Sequence, residues 1–391
     1  MKKCFKILLV LLLASIIGLF FLYRYLECNP IHMGGGGPSD SPPARCYAKE
    51  QEQQRKTQMA QLEQLAALEF TCKKEERPPL SKETQQLYNY ALYHDLHNMW
   101  TGDKGDDVWN GLARYYRIAA ANGDYKANVR LQYLLNTGRI STDMPQTEVH
   151  NLNEELAKQL PATAYYNLYG YLDVGYGVRT EKDGKYAYLR KAADLGSREA
   201  QYTVAEMLAD IEDSEETQEA FKYRLNLVKQ LRSCASEQGL GEVSSNLGIS
   251  LQMDKKYQEA LKVFHQGVKN GDSISALVLS HAFESGVQAD NLNFLDVSPD
   301  DERVKRYHMI SSYLSRYDYL QPKVPDLDEI LPLPPAKLPE WNGKIAFQRW
   351  YEGEAPPKPS EALMQKLANQ AGLRVDTGLD LETGLPREVK K

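Results

Sequence analysis

Two histidines three residues apart, His94 and His97 in YHDLHNMW, come closest in this sequence to a metal-binding pair. At that separation they share one face of a helix, with Asp95 close by. A metal site needs a third ligand, and the sequence places none. There is no H-E-x-x-H motif and no Walker loop. There is no G-x-S-x-G turn to carry a nucleophilic serine. Gly175-x-Gly177 follows no strand pattern, so it reads as a turn and not as a phosphate loop. Carboxylates are plentiful, but no spacing singles out an acid–base pair. The expectation is a protein without catalytic residues, metal or cofactor.

The element that organises the chain is the stretch 164–200, AYYNLYGYLDVGYGVRTEKDGKYAYLRKAADLGSREA. Ala164, Leu168 and Leu172 recur every fourth residue and share a helical face. Gly175 and Gly177 allow a turn that other residues resist. A second helix follows, with Tyr188, Leu189, Ala192 and Ala193 on one face, and Gly196 stands where a left-handed cap is needed. The frame Ala192-Ala193-x-x-Gly196-x-x-x-Ala200 has a copy in Ala119-Ala120-x-x-Gly123-x-x-x-Ala127 and a looser one in Gly267-Val268-x-x-Gly271. These copies lie about two repeats of roughly 36 residues apart, the length of helical-pair repeats. Intermediate turns fall near Leu160-Pro161 and Gly239-Leu240-Gly241. About five units fit between Trp109 and Gly286. One such pair buries too little alone, so the pairs must stack.

This pattern resembles the Sel-1-like repeat, a relative of the tetratricopeptide repeat. The matching positions are Ala164, Leu168, Gly175, Gly177, Val178, Ala192, Ala193, Gly196 and Ala200. Tyr169 and Leu172 depart from the family's usual Gly and Tyr. The expected fold is all-α, a helix-turn-helix repeat solenoid with an N-terminal transmembrane helix. The solenoid spans 73–320, and a proline-rich segment with a C-terminal helix spans 321–391. A capping helix is expected over 80–100, with Tyr88, Leu92, Leu96 and Trp100 on one face. Tyr307, Ile310, Tyr313 and Leu314 share the face of a later helix. The segment 322–339 must run extended, because proline bars helix and ladder pairing, and its leucines and Trp341 pack along the solenoid. A last helix starts at Pro359-Ser360-Glu361 and closes at Gly372. The polar end beyond Arg374 is expected to fray.

The chain has 391 residues, 42% of them hydrophobic, and a formal net charge of −6. That balance argues against a nucleic-acid partner. Lys2, Lys3 and Lys6 precede an apolar run over 7–23, which reads as an export signal. The run is at the short end for a membrane span of about 20 residues. No A-x-A cleavage pattern follows it. Tyr23, Arg24 and Tyr25 follow instead, as at a membrane interface. Residues 1–28 are therefore expected to be an uncleaved anchor in a bacterial inner membrane, with the body in the periplasm. Cleavage, or lipidation at Cys28, is the alternative. Residues 29–72 hold a Gly/Pro/Ser linker and an amphipathic helix over 50–68.

There are five cysteines. All but Cys4 would face an oxidising space. Cys46 and Cys72 bracket the amphipathic helix and are the candidate disulfide; free, buried thiols are the alternative.

Partner contacts are sought where the chain departs from its repeat. Tyrosine is abundant, 25 against 9 Phe, and it suits protein interfaces as well as ordinary packing. Tyr165 and Tyr169 lie off the Ala164–Leu168 face and are the surface candidates. The acidic insertion 210–219 adds Asp210, Glu212, Asp213, Glu215 and Glu216, and the insertion 291–301 adds Phe294. Repeat proteins place such insertions on one face, often the binding face.

The stretches PPLSKETQQLYNYA, RYYRIAAANGDYKANVRLQYLL, LPLPPAKLPEW and KPSEALMQKLA also resemble one bacterial family of envelope-located Sel-1-like proteins. The resemblance spans about residues 72–390. It implies a cognate immunity protein that binds a type VI secretion phospholipase effector. An envelope scaffold, for assembly or polysaccharide export, is the other role such arrays serve.

Overall fold

The computed structural model describes residues 70–99, 105–212 and 218–388. The proposed anchor, the linker, the amphipathic helix and Cys46 lie outside the described residues. Among the described residues no helix is long and apolar enough to cross a membrane.

Polar residues just ahead of apolar runs start many of the helices. Ser81 opens α1 (Lys82–His97) by accepting from the Thr84 N–H. α2 (Gly105–Ala121) follows, and Asp124 caps α3 (Tyr125–Asn136) through the Ala127 N–H. α4 (Pro145–Ala157) and α5 (Pro161–Val174) each begin on a proline, whose missing N–H is harmless in a first turn. α6 (Lys185–Leu195) ends at Gly196, and Ser197 caps α7 (Arg198–Ala209). α8 (Gln218–Glu237), α9 (Gly241–Met253) and α10 (Tyr257–Lys269) continue the series. Asp272 caps α11 (Ser273–Ala282) and Asp300 caps α12 (Asp301–Arg316). Consecutive helices pack on one another from α1 to α12, so the stack contains six helix pairs among the described residues. The fold is an all-helical repeat solenoid; its only bridge of strand type among the described residues joins Leu373 and Asp380.

The central repeat is α5 and α6. Gly175 and Gly196 both take left-handed caps, with φ of 67° and 105°. Leu189, Ala192 and Ala193 are buried as expected. The face of α5 is rotated from the expected one: Ala162, Ala164 and Tyr171 are buried, while Leu168 and Leu172 are half-buried. The cause is a polar network that sequence spacing does not reveal. The Tyr171 hydroxyl donates to Gln132 Oε1 at 2.7 Å, and Gln132 donates to Asn128 Oδ1 at 2.6 Å. Asn167 donates to Asn153 at 3.0 Å, and Asn153 donates to the Ala164 carbonyl at 3.0 Å. Buried amides require such partners, and here they tie α3, α4 and α5 together.

In α1, Leu87, Ala91 and Asp95, four apart, face the core. Of the stripe expected on one face, Leu96 is buried and Tyr88 and Leu92 are half-buried.

The segment after α12 returns along the stack. Val324, Leu327, Ile330 and Leu331 belong to the core of the last repeats. The segment 322–339 was expected to be extended throughout, yet a single helical turn fits between its prolines, α13 (Leu327–Ile330); a further short helix, α14 (Ala346–Tyr351), follows it. α15 (Glu361–Ala371) then packs on α2, placing Met364, Leu367 and Ala368 in the core of the first repeats. Within the described residues the segment beyond Arg374 is held: Arg117 Nη1 donates to the Thr377 carbonyl at 3.0 Å, and Gly378 is buried against Arg114 and Arg117.

The segment 70–80 is laid across the turns of the middle repeats. Cys72 is bonded to Cys234 in α8, with their Cα atoms 5.7 Å apart. This corrects the expected Cys46–Cys72 pair. Cys72 does not close a local helix; it sits in an extended strap that reaches α8. Lys74 pairs with Glu237 at 2.6 Å along the same strap. A Cβ on Gly196 would come within 2.7 Å of the Glu75 nitrogen, so this glycine serves both the left-handed cap and the close approach of the strap.

Candidate functional site

The residues with apparent metal chemistry have structural roles. Asp95 is fully buried. It accepts from Trp109 Nε1 at 2.9 Å, the Tyr116 hydroxyl at 2.9 Å and Arg130 Nε at 2.7 Å. These partners come from α2 and α3, so Asp95 joins the first two helix pairs. His97 is stacked between Tyr93 and Tyr351, with ring centroids 4.1 and 4.0 Å away. Its two ring nitrogens lie 2.7 and 3.0 Å from the Tyr93 and Tyr351 carbonyls. It fastens α14 to α1. Burial, and then the neighbouring His97, lowers the pKa of His94. Among the described residues no group of three or more His, Cys, Asp or Glu is placed to hold a metal.

The tyrosine cluster gives a more open surface. A groove of about 490 Å³ runs between α3 and α5. Val129, Gln132 and Tyr133 form one wall, and Tyr166, Tyr169 and Tyr171 form the other. Tyr169 is half-buried, between Tyr166 and Tyr186 at centroid distances of 6.0 and 6.4 Å. Burial raises its pKa, with nearby Asp173 adding to the rise. Asp173 is held by an ion pair with Lys185. Tyr133 is 41% exposed, with the Arg130 and Arg139 guanidinium groups 4.8 and 5.3 Å from its ring centre. Val174, at the end of the groove, is 73% exposed. Rings with hydroxyls, ordered by their neighbours and open to solvent, have the chemistry of a protein-binding surface.

Tyr165 does not line this groove. It stacks on Tyr188 at 6.2 Å, and Lys191 Nζ sits 4.2 Å from its ring centre. Tyr133 and Tyr166 were missed; Tyr133 faces α5 from the preceding pair, which no spacing within one repeat reveals. Asp210 and Glu212 are exposed just after α7, while Asp213, Glu215 and Glu216 lie outside the described residues. Phe294 packs edge-on against Tyr257 at 5.0 Å, and Gln252 Nε2 donates to its carbonyl at 3.0 Å. In that insertion the apolar side chain given to solvent is Leu292, 91% exposed.

Fold and surface together define a helical-repeat protein of the solenoid class. A family model described as a domain of unknown function, DUF6396, matches residues 275–386. No curated protein matches the sequence. Among solved structures, the chain is similar to immunity protein PA5088 from Pseudomonas aeruginosa, at 19% identity over 68% of this chain and 95% of that one, with a TM-score of 0.48. It is similar to immunity protein PA5087 of the same species, at 23% identity over 68% and 95%, with a TM-score of 0.45. It is also similar to a Sel1 repeat protein from Oxalobacter formigenes, at 16% identity over 79% and 86%, with a TM-score of 0.31.

Proposed function

We propose that this protein is a non-enzymatic, protein-binding solenoid of the bacterial envelope, and that it serves as an immunity protein against a type VI secretion phospholipase effector. The observation that carries this reading is the tyrosine-lined groove between α3 and α5. Tyr171 is held by the amide network beneath, Tyr166 by Thr203 and Tyr169 between Tyr166 and Tyr186, so little side-chain entropy is lost on contact. The family resemblance of the sequence supplies the class of partner. In this reading the groove covers the lipase's catalytic cleft or its lipid-approach surface.

The Cys72–Cys234 disulfide supports a periplasmic body, because such bonds persist in oxidising compartments. Residues 1–28 would hold that body at the inner membrane and raise its local concentration where a lipase acts.

The test expresses the effector encoded beside this protein in the periplasm, with and without this chain. Survival only with this chain is expected, together with its recovery in the membrane pellet after carbonate washing. Death in both cases would sink the immunity reading and leave the envelope scaffold.

A further inference from the structure

A second cavity, of about 500 Å³, lies where the segment 70–80, the first repeats and the segment following α12 meet. It shares Val129 and Tyr133 with the groove but differs in chemistry. Leu92, Leu96, Leu160 and Phe347 contribute apolar lining. The cavity also gathers cations from three parts of the chain, Arg77 from the strap, Arg198 from α7 and Arg130 from α3, with Glu199 among them. Lys323, outside the lining, stands near Arg77 and Arg198.

Carboxylates do not balance this cluster. Glu199 pairs with Arg198 at 2.7 Å and Asp95 with Arg130 at 2.7 Å. Among the described residues no carboxylate forms an ion pair with Arg77 or Lys323. Among the described residues Lys323 Nζ donates to the Gly239 carbonyl at 3.3 Å and Arg198 Nη1 to the Gln238 carbonyl at 2.9 Å. Arg130 Nη2 is buried with no acceptor. A buried donor without a partner is costly, and guanidinium groups match the oxygens of phosphate and carboxylate.

We propose that this cavity binds a small amphiphilic anion, with a phosphate or carboxylate head on Arg77 and Arg198, Lys323 standing near them outside the lining, and an apolar body against Leu92, Leu160 and Phe347. The volume falls within the range of about 300–1,000 Å³ typical of small-molecule sites. The ligand would bridge the strap to the C-terminal segment, which meet here across the stack.

The charge state of Lys323 fits this assignment. Burial, with Arg198 and Arg77 adding to it and Glu199 opposing, lowers its pKa to about 8. An anion in the cavity favours the protonated amine, so binding takes up a proton near pH 8 and weakens as pH rises from 7 to 9.

The experiment is calorimetry on the full-length chain with four probes: hexyl phosphate, inorganic phosphate, hexanol and hexylammonium. Hexyl phosphate is expected to bind at least tenfold more tightly than each of the others, and several-fold more weakly at pH 9 than at pH 7. Hexanoate in place of hexyl phosphate separates a carboxylate ligand from a phosphate one; tighter binding of either supports the site. Arg77→Ala and Lys323→Ala should each reduce the affinity at least tenfold, and Lys323→Arg should retain it without the pH dependence. Arg77 is exposed in the strap, so its variant keeps the fold, as an unchanged melting temperature would show. Equal binding of hexanol and hexyl phosphate would overturn the proposal, as would unchanged affinity in folded Arg77→Ala and Lys323→Ala.

Discussion

The carboxylate of Glu75 caps the helix that carries Thr163, 88 residues along the chain. It accepts from the Ala162 N–H at 2.6 Å, from the Thr163 N–H at 3.2 Å and from the Thr163 hydroxyl. The residue at the local cap position of α5 is Leu160, which has no side-chain acceptor. The first-turn donors of a helix need partners, and the strap supplies them. The negative charge also lies at the positive end of the helix dipole.

Removing that carboxylate should loosen both partners. Glu75→Ala should destabilise the protein by about 1–2 kcal/mol, the usual effect of losing a cap. Urea unfolding measures it. Glu75→Gln, which keeps an acceptor but loses the charge, should fall between the two. Equal stability of all three would mean that the strap contributes nothing to α5.

The disulfide makes the strap part of the fold. Cys72 and Cys234 are 162 residues apart in sequence, so the bond closes a long loop in the unfolded chain. The chain-entropy argument puts its contribution at up to about 5 kcal/mol, with measured cases nearer 2–4 kcal/mol. Cys234→Ser should lower the melting temperature markedly and speed proteolysis near residue 73. Reductant should do the same to the wild type and nothing further to the variant.

What could be read from the sequence was local. Gly175 and Gly196 stand where α5 and α6 end, and their role follows from left-handed geometry and spacing alone. The stack, its turns and the last helix were therefore legible. The strap, the return of α15 to α2 and the Cys72–Cys234 bond join residues more than a hundred positions apart, and no periodicity records such contacts. Asp95 lay between. It shares the four-residue spacing of Leu87 and Ala91, which marks it as a core-facing carboxylate, but the flanking histidines drew the chemical reading instead. Tyr169 could be picked out because it departs from the repeat pattern, and it lines the groove; Tyr133 could not, because its place in the groove depends on how successive pairs stack.

The C-terminal segment should be more weakly held at acid pH. His265 is buried, with Nδ1 3.0 Å from the Tyr307 hydroxyl and Nε2 2.8 Å from Asp328 Oδ1. A neutral ring protonated on Nε2 satisfies both. Burial, outweighing Asp328, lowers its pKa below 6.5. The unfolded chain thus takes up a proton that the folded one resists, and stability is lost as pH falls from about 6.5 toward the folded value. Asp328 is lowered in turn, mainly by its hydrogen bond from Lys269, and stays charged through that window. Denaturation midpoints at pH 7.5 and pH 5 should differ more in the wild type than in His265→Gln. An unchanged difference would remove His265 from the account.

The groove separates binding from folding at neighbouring tyrosines. Tyr133 is exposed and Tyr169 half-buried, whereas Tyr171 is buried and donates to Gln132 at 2.7 Å. Tyr171→Phe should lose about 1 kcal/mol of stability through that hydrogen bond. Tyr169→Ala and Tyr133→Ala should change stability less and weaken partner binding tenfold or more, as expected for aromatic anchors in an interface. Tyr165→Ala, outside the groove, should leave binding unchanged. Titration of the neighbouring effector against each purified variant checks this, with melting temperatures alongside. If Tyr165→Ala abolished binding while Tyr169→Ala and Tyr133→Ala did not, the partner would sit on the Tyr165–Tyr188 side of the central repeat, away from the groove.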